Sequence, residues 1–156
     1  MPTKTAKRQV KFDPNNTSFS VDHAHGLALC SKLAYEPDHG VIQTALGNHG
    51  FKVKFIERRE TQCFVAYSSK AIVISFRGTT NIRDWMTNSD VVLVSPRPGF
   101  PKVHAGFLRA LCVVWDDILE TLEKVQKSAQ TLWITGHSLG GGTRDGRGGA
   151  VRPGDR

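Results

Sequence analysis

The sequence lacks any apolar run long enough to span a bilayer. A transmembrane helix needs about 20 consecutive apolar residues, and polar or charged residues interrupt every apolar stretch well before that length. The basic N-terminus, MPTKTAKRQVKF, has no apolar segment behind it and so lacks the pattern of a secretory signal. These absences predict a protein with no transmembrane segment and a cytoplasmic location.

Cysteine is also scarce, with three residues at positions 30, 63 and 112. An odd number cannot be fully paired within one chain, and the spacing is unlike that of a metal site. All three have apolar neighbours in the sequence. We therefore predict buried free thiols, and we expect neither a metal nor another cofactor.

Acidic residues are absent from the first twelve positions, and the net charge of +7 is concentrated at the two ends. Residues 1–12 carry +4 and residues 143–156 carry +2, which leaves +1 for the 130 residues between them. A body so close to neutral has no basic face for a phosphate backbone. We expect no nucleic-acid partner, and we predict a disordered basic N-terminus at 1–17 and a disordered Arg/Gly-rich tail at 143–156.

Hydrophobic periodicity predicts a single α/β domain between these termini. A first helix is expected from Ser20 to Pro37, and its predicted buried side consists of Val21, Ala24, Leu27 and Ala28. A short helix, three strands, a long helix and a strand follow at residues 41–46, 51–58, 61–69, 71–76, 106–127 and 131–135. The long helix carries one apolar stripe that includes Trp115. Strand, helix and strand in this order favour a parallel crossover, hence a mostly parallel sheet with helices on both faces.

The first indication of a catalytic function is the segment Gly136-His137-Ser138-Leu139-Gly140, which matches the pattern G-x-S-x-G. The pattern puts a serine on a sharp strand-to-helix turn, where glycines two positions before and after it avoid a steric clash. The preceding TLWIT supplies the strand, but the following TRDGRGGAVRPGDR is too polar for the expected helix. A phosphate loop is excluded because no Gly-Lys-Ser/Thr follows. A glycine-rich turn with an incidental serine remains the alternative on this segment alone.

Three upstream segments favour the catalytic interpretation. They are Phe76-Arg77-Gly78-Thr79-Thr80, Ile82-Arg83-Asp84-Trp85 and Val103-His104-Ala105-Gly106-Phe107. In this order before GHSLGG, they resemble the lipase class 3 family, the fungal-lipase-like α/β-hydrolases. The resemblance covers roughly residues 20–142, the N-terminal portion of such a domain. It implies an incomplete α/β-hydrolase fold whose sheet ends shortly after the serine turn.

The resemblance also implies a role for each residue of the serine turn. Ser138 corresponds to the nucleophile, and the backbone N–H of Leu139 corresponds to one donor of the oxyanion hole. The second contribution comes from Thr79, through its backbone N–H and its hydroxyl. Finally, Gly136, His137 and Gly140 would shape the turn rather than react.

The start of a lid over the site corresponds to residues 82–87. Its apolar side chains Ile82, Trp85 and Met86 would contact an apolar groove or lipid, although Trp85 could instead be a partly buried anchor. His104 is expected to be a structural hydrogen-bonding residue in the loop before the long helix.

The function implied by the resemblance is that of a carboxylic-ester hydrolase, a lipase or esterase that forms an acyl-enzyme on serine. Its substrate would be a lipid or a small ester, met at a lipid–water interface, and the chemistry needs no cofactor. The alternative is a non-catalytic fragment that binds a lipid surface or a protein partner.

The residues after Ser138 include Asp145 and Asp155 but no histidine, whereas the triad of this fold runs in the order serine, acid, histidine. We therefore predict a chain truncated or frameshifted after Gly142, without the triad acid and base. Little or no esterase activity is expected, since loss of the histidine costs about 10⁶ in turnover in a well-studied protease. The strand ending at Thr135 would expose an apolar edge, which favours self-association.

Overall fold

The computed structural model of the chain describes residues 10, 12–13, 15–16, 18–78, 93–128 and 130–137. Its helices are α1 (Val21–Leu33), α2 (His39–Gly47) and α3 (Ala105–Val125), and its strands are β1 (Lys52–Arg58), β2 (Thr61–Tyr67), β3 (Ala71–Phe76), β4 (Leu93–Val94), β5 (Val103–His104) and β6 (Thr131–Gly136). Within the described ranges, these elements confirm each helix and strand predicted from periodicity. Strands β4 and β5 were not predicted, because two residues are too few to leave a periodic signal.

Four strands form one sheet in the order β1-β2-β3-β6. The β1–β2 and β2–β3 pairs are antiparallel, whereas β3 and β6 are parallel. Short turns at 59–60 and 68–70 join the first three strands, and turns of that length allow only antiparallel neighbours. Among the described strands, the expectation of a mostly parallel sheet therefore holds only for β3 and β6, which α3 connects as predicted.

Apolar residues cover both faces of this sheet. The face toward α1 and α2 is filled by buried residues that include Cys30, Ile42, Leu46, Phe51, Phe64 and Val73. The face toward α3 is filled by Cys63, Val65, Ile72, Ile74, Val114 and Ile118. Strand β3 is buried along its whole length, as expected for a strand with a helical layer on either side.

The buried side of α1 differs from the one predicted. Val21 is 60% exposed and Ala24 is exposed, whereas His23 and Gly26 are buried. The helix is only weakly amphipathic in sequence, so its neighbours decide its orientation. Gly26 allows the Phe12 ring to lie against the helix, where a Cβ at Gly26 would come within 3.1 Å of that ring.

The segment predicted to be a disordered N-terminus contributes to the core at two described positions. Val10 and Phe12 are 5% and 6% exposed and belong to the cluster beneath α1 and α2. The backbone N–H of Asp13 donates to Nε2 of the buried His23 at 2.9 Å. The structure therefore departs from the predicted disorder here, because two apolar side chains in a basic segment suffice to dock it.

Helix α3 packs on the sheet through Val114 and Ile118, as its stripe predicts. Trp115, assigned to the same stripe, is 46% exposed. It follows Val114 by one position, which is about 100° further round the helix, so both cannot face the sheet. Cys112 also lies on the exposed side, so the prediction of three buried thiols is wrong for this residue and confirmed for Cys30 and Cys63.

Shortening a buried side chain of α3 should lower the stability of the fold. We expect Ile118→Ala, at a position 1% exposed, to lower the free energy of unfolding by about 2–5 kcal/mol, because it removes buried methyl groups and leaves a cavity. Leu119→Ala is the matched control, since Leu119 is 40% exposed and should change stability by less than about 1 kcal/mol. Urea unfolding followed by circular dichroism measures both, and equal losses would contradict the packing described.

Thiol reactivity should separate the three cysteines. Burial raises the pKa of Cys30 and Cys63 to about 12, because the thiolate loses its hydration in an apolar interior. Only the exposed Cys112 should then react rapidly with an aromatic disulfide reagent at pH 8, since the thiolate is the nucleophile. We expect one fast thiol in the folded chain, three in denaturant and none in folded Cys112→Ser. Two or more fast thiols in the folded chain would contradict this core.

Candidate active site

The carboxyl ends of β3 and β6 lie side by side. Their parallel register pairs Ser75 with Thr135 and Phe76 with Gly136. The segments after Phe76 and after Gly136 therefore leave the sheet at the same edge, next to each other. In α/β sheets this edge, at the carboxyl ends of parallel strands, is where ligands bind.

Helix α1 is tied to both strands just before this edge. The Ser75 hydroxyl donates to the carbonyl of Cys30 at 3.0 Å, and the Thr135 hydroxyl donates to the carbonyl of Leu27 at 3.2 Å. A hydroxyl from each strand thus reaches a helical carbonyl. These two bonds hold the C-terminal half of α1 across the strand ends.

Tyr35, two residues beyond α1, lies at this same edge. Its hydroxyl is 3.1 Å from Nδ1 of His137, and the two rings meet edge to face with centroids 5.8 Å apart. The hydroxyl also lies against Gly78: a Cβ at that position would overlap both the Tyr35 hydroxyl and the His137 carbonyl oxygen. The edge therefore requires glycine at position 78.

Arg77 turns away from this contact toward β2. Its backbone N–H donates to the carbonyl of Gln62 at 2.9 Å, and its guanidinium donates to the Gln62 side chain. Gln62 in turn donates to the Glu57 carboxylate at 2.7 Å. Arg77 therefore extends the β2–β3 pairing, and Gly78 is the first residue free to turn toward β6.

His104 has the structural role predicted for it. It is the N-cap of α3, where its Nδ1 accepts a hydrogen bond from the backbone N–H of Gly106 at 3.1 Å. Its ring also contacts Phe107, with centroids 5.3 Å apart. An acceptor at this position satisfies an amide that the helix leaves unpaired.

The described residues contain only part of the predicted site. Gly136 ends β6 and His137 follows it, as the serine turn requires. The nucleophile Ser138, the oxyanion residues Thr79 and Leu139, the turn residue Gly140 and the lid residues Ile82, Trp85 and Met86 lie outside the described residues. Sequence reasoning missed Tyr35, which is separated from His137 by 102 positions and carries no motif.

Two clefts of the described surface lie elsewhere. One, of about 630 Å³, is lined by residues that include Phe12, His49 and Lys70. Lys70 precedes β3, so this cleft is at the amino end of that strand, opposite Gly78. The other, of about 640 Å³, runs between β1 and α3 and is lined by charged residues such as Lys54 and Asp117. Neither contacts the Tyr35–His137 edge.

No three histidine, cysteine, aspartate or glutamate side chains come together as a possible metal site within the part of the chain that is described.

Comparison with known proteins shows which family the chain resembles. Residues 73–143 match the family model for lipase (class 3). The lipase of Rhizomucor miehei is 39% identical over 79 residues, which make up 49% of this chain and 22% of that protein. The matched segment is thus similar to lipases of class 3. The matched segment begins inside β3 and includes both edge segments described above, together with the β3–α3–β6 crossover.

Two further relatives extend the comparison. Secreted mono- and diacylglycerol lipase A of Penicillium cyclopium is 33% identical over 81 residues, covering 49% of this chain and 26% of that protein. The solved structure of Rhizomucor miehei triacylglyceride lipase superposes with a TM-score of 0.59 at 26% identity, over 82% of this chain and 54% of that chain. The likeness confirms an α/β-hydrolase-like fold. The chain spans about half of that structure and matches about a quarter of the two relatives' lengths.

The expected cytoplasmic location is wrong, because relatives of this chain are secreted lipases. That expectation rested on the absence of a secretory-signal pattern at the N-terminus. Among the described helices, none combines the length and apolar content needed to cross a membrane.

Adding a methyl group at the Gly78 contact should disturb this edge. We expect Gly78→Ala to lower the free energy of unfolding by about 1–3 kcal/mol, because the new Cβ would overlap Tyr35 and His137. Gly47→Ala is the control: no atom lies within 4 Å of its Cβ position in α2, so it should be neutral or stabilise by up to about 0.5 kcal/mol. Urea unfolding compares the two, and a neutral Gly78→Ala would show that the strand ends are further apart.

Proposed function

We propose that this chain carries the nucleophile and oxyanion hole of a serine carboxylic-ester hydrolase. Ser138 is the nucleophile, and Thr79 and Leu139 supply the oxyanion donors. The enzyme is a lipase or esterase that acts on a lipid or a small ester.

The observation that carries this proposal is the contact between Gly78 and His137. These residues immediately precede Thr79 and Ser138 in the chain. A hydrogen-bonded parallel register brings them to one edge of the sheet, and the absence of a side chain at Gly78 lets the two segments touch. Such closeness is what an oxyanion hole needs, because both donors must lie within about 3 Å of a single oxygen.

The proposed reaction is a two-step acyl transfer. The Ser138 oxygen attacks the ester carbonyl carbon, its proton passes to a base, and negative charge develops on the carbonyl oxygen. The backbone N–H groups of Thr79 and Leu139 and the Thr79 hydroxyl donate to that oxygen. When the carbonyl re-forms, the carbon–oxygen bond to the alcohol breaks and the alcohol takes the proton. Water then cleaves the acyl-enzyme to the acid and free Ser138.

A lipid substrate is favoured by the relatives, which are a triacylglyceride lipase and a mono- and diacylglycerol lipase. The apolar residues Ile82, Trp85 and Met86 agree with this choice, since a polar segment that carries them could cover the site in water and contact lipid at an interface. Acyl chain length is left open by these residues.

We further propose that the chain self-associates through β6. Among the described strands, β6 pairs only with β3, so its other edge has no partner strand within the described residues. Its residues are apolar or half-buried along the whole strand. A strand edge of this kind is a template for a second chain.

The alternative function is a non-catalytic fragment that binds a lipid surface or a protein partner. The two functions differ in one respect that can be measured, which is whether the Ser138 oxygen accepts an acyl-like group.

Covalent labelling with a fluorophosphonate tests the proposed function. In a chain with no histidine after Ser138, we expect near-background ester turnover and slow labelling. Added imidazole should act as an external base and accelerate labelling at Ser138, because proton removal is the step that lacks a protein group. Intact-protein mass and peptide mapping measure the extent and the position of labelling.

The control is Ser138→Ala, which should remain unlabelled with and without imidazole. Equal labelling of both proteins, or no labelling of the unaltered chain, would overturn the proposed nucleophile. Co-sedimentation with phosphatidylcholine vesicles is measured in parallel. Vesicle binding without labelling at Ser138 would favour the non-catalytic alternative.

A further inference from the structure

Tyr35 lies outside the predicted site and contacts both of its described segments. Its hydroxyl lies 3.1 Å from Nδ1 of His137 and against Gly78. It comes from neither strand but from the segment after α1. Its ring is only half-buried, so packing in the core does not account for its position.

We propose that Tyr35 is a positioning residue that sets the separation between the two halves of the oxyanion hole. Thr79 is one residue beyond Gly78, and Leu139 is two residues beyond His137. The Tyr35 hydroxyl lies against both segments at the point where they touch, so its hydrogen bond holds them at that separation. This inference rests on the proposed function for the meaning of that separation, whereas the contact itself is independent of it.

The need for a group that contacts both segments follows from the sheet geometry. The last paired residues of the ladder are Phe76 and Gly136. Within the described residues, no strand pairing continues beyond them, yet oxyanion donors must be placed within a few tenths of an ångström. A third group is required to hold both segments.

Tyr35 can serve as that third group because α1 itself is fixed. The hydroxyls of Ser75 and Thr135 bind the carbonyls of Cys30 and Leu27, so both strands hold the helix that precedes Tyr35. The Tyr35 hydroxyl then returns to the ends of the same strands. Helix α1, the ends of β3 and β6, and the Tyr35 phenol are therefore linked to one another. A shift of any one of them would break contacts with the others.

The polar character of the contact separates this role from simple packing. Phenylalanine would keep the edge-to-face contact with His137 but could not bind Nδ1. The bond does not depend on one tautomer: the phenol donates to an unprotonated Nδ1, and it accepts from Nδ1–H when the ring is charged. Loss of the hydroxyl should therefore free the His137 ring while leaving the fold intact.

The test compares Tyr35→Phe with Tyr67→Phe in the full 156-residue chain. Tyr67 ends β2 and packs beside the α3 face of the sheet, so its hydroxyl is a matched control far from His137. Fluorophosphonate labelling of Ser138 is followed against reagent concentration, with imidazole present. We expect Tyr35→Phe to lower the maximal labelling rate by about tenfold with an unchanged half-saturating concentration, since misplaced groups slow the chemical step. Tyr67→Phe should label like the unaltered chain.

A second readout is independent of reactivity. The imidazole ¹⁵N resonances of His137, assigned with His137→Gln, should shift in Tyr35→Phe and stay unchanged in Tyr67→Phe. The inference is overturned if Tyr35→Phe leaves both these resonances and the labelling rate unchanged, or if only the half-saturating concentration moves. Absence of labelling in the unaltered chain would instead overturn the proposed function, and the positioning role with it, even where the resonances shift.

Discussion

The parallel pairing of β3 with β6 is the constraint on which the rest of the site depends. These strands are about sixty residues apart in the chain, and α3 makes the crossover that lets them run side by side. Six successive backbone pairs fix their register, so their carboxyl ends finish at the same level. Without this register, Gly78 and His137 would not meet, and no oxyanion hole could form between the segments that follow them.

Helix α1 adds the second constraint, because it links the strand ends to a part of the chain that carries no catalytic motif. It is weakly amphipathic, and its orientation follows from contacts with Phe12, Ser75 and Thr135. The same contacts that bury Gly26 also deliver Tyr35 to His137. A helix that periodicity treats as an ordinary covering layer is therefore also part of the support of the site.

The match to fungal lipases and the local geometry both favour the carboxyl ends of β3 and β6 as the location of the site. The two clefts of the described surface lie elsewhere. Both clefts are lined by residues from the opposite end of β3 or from the outer strand β1. Cavity size is thus a poor guide here, because an acyl-transfer site is defined by converging donors and a nucleophile. In the proposed site, these groups belong to short segments that follow the strand ends and need no deep pocket.

Sequence alone determined the helices and strands that have a regular hydrophobic pattern. Its motifs also predicted the class of chemistry. The alternation in β1, the apolar run of β3 and the apolar stripe of α3 predicted these elements. An element that buries one or two faces needs apolar residues at regular positions, so its burial is visible as a pattern in the local sequence. The motifs around Thr79 and Ser138 predicted the reaction class for the same reason, since each role needs particular residue types at fixed spacing. Only the tertiary structure decided which side of α1 is buried, where Trp115 and Cys112 face, and that Tyr35 meets His137. These outcomes depend on contacts between residues far apart in the chain, which no local pattern records.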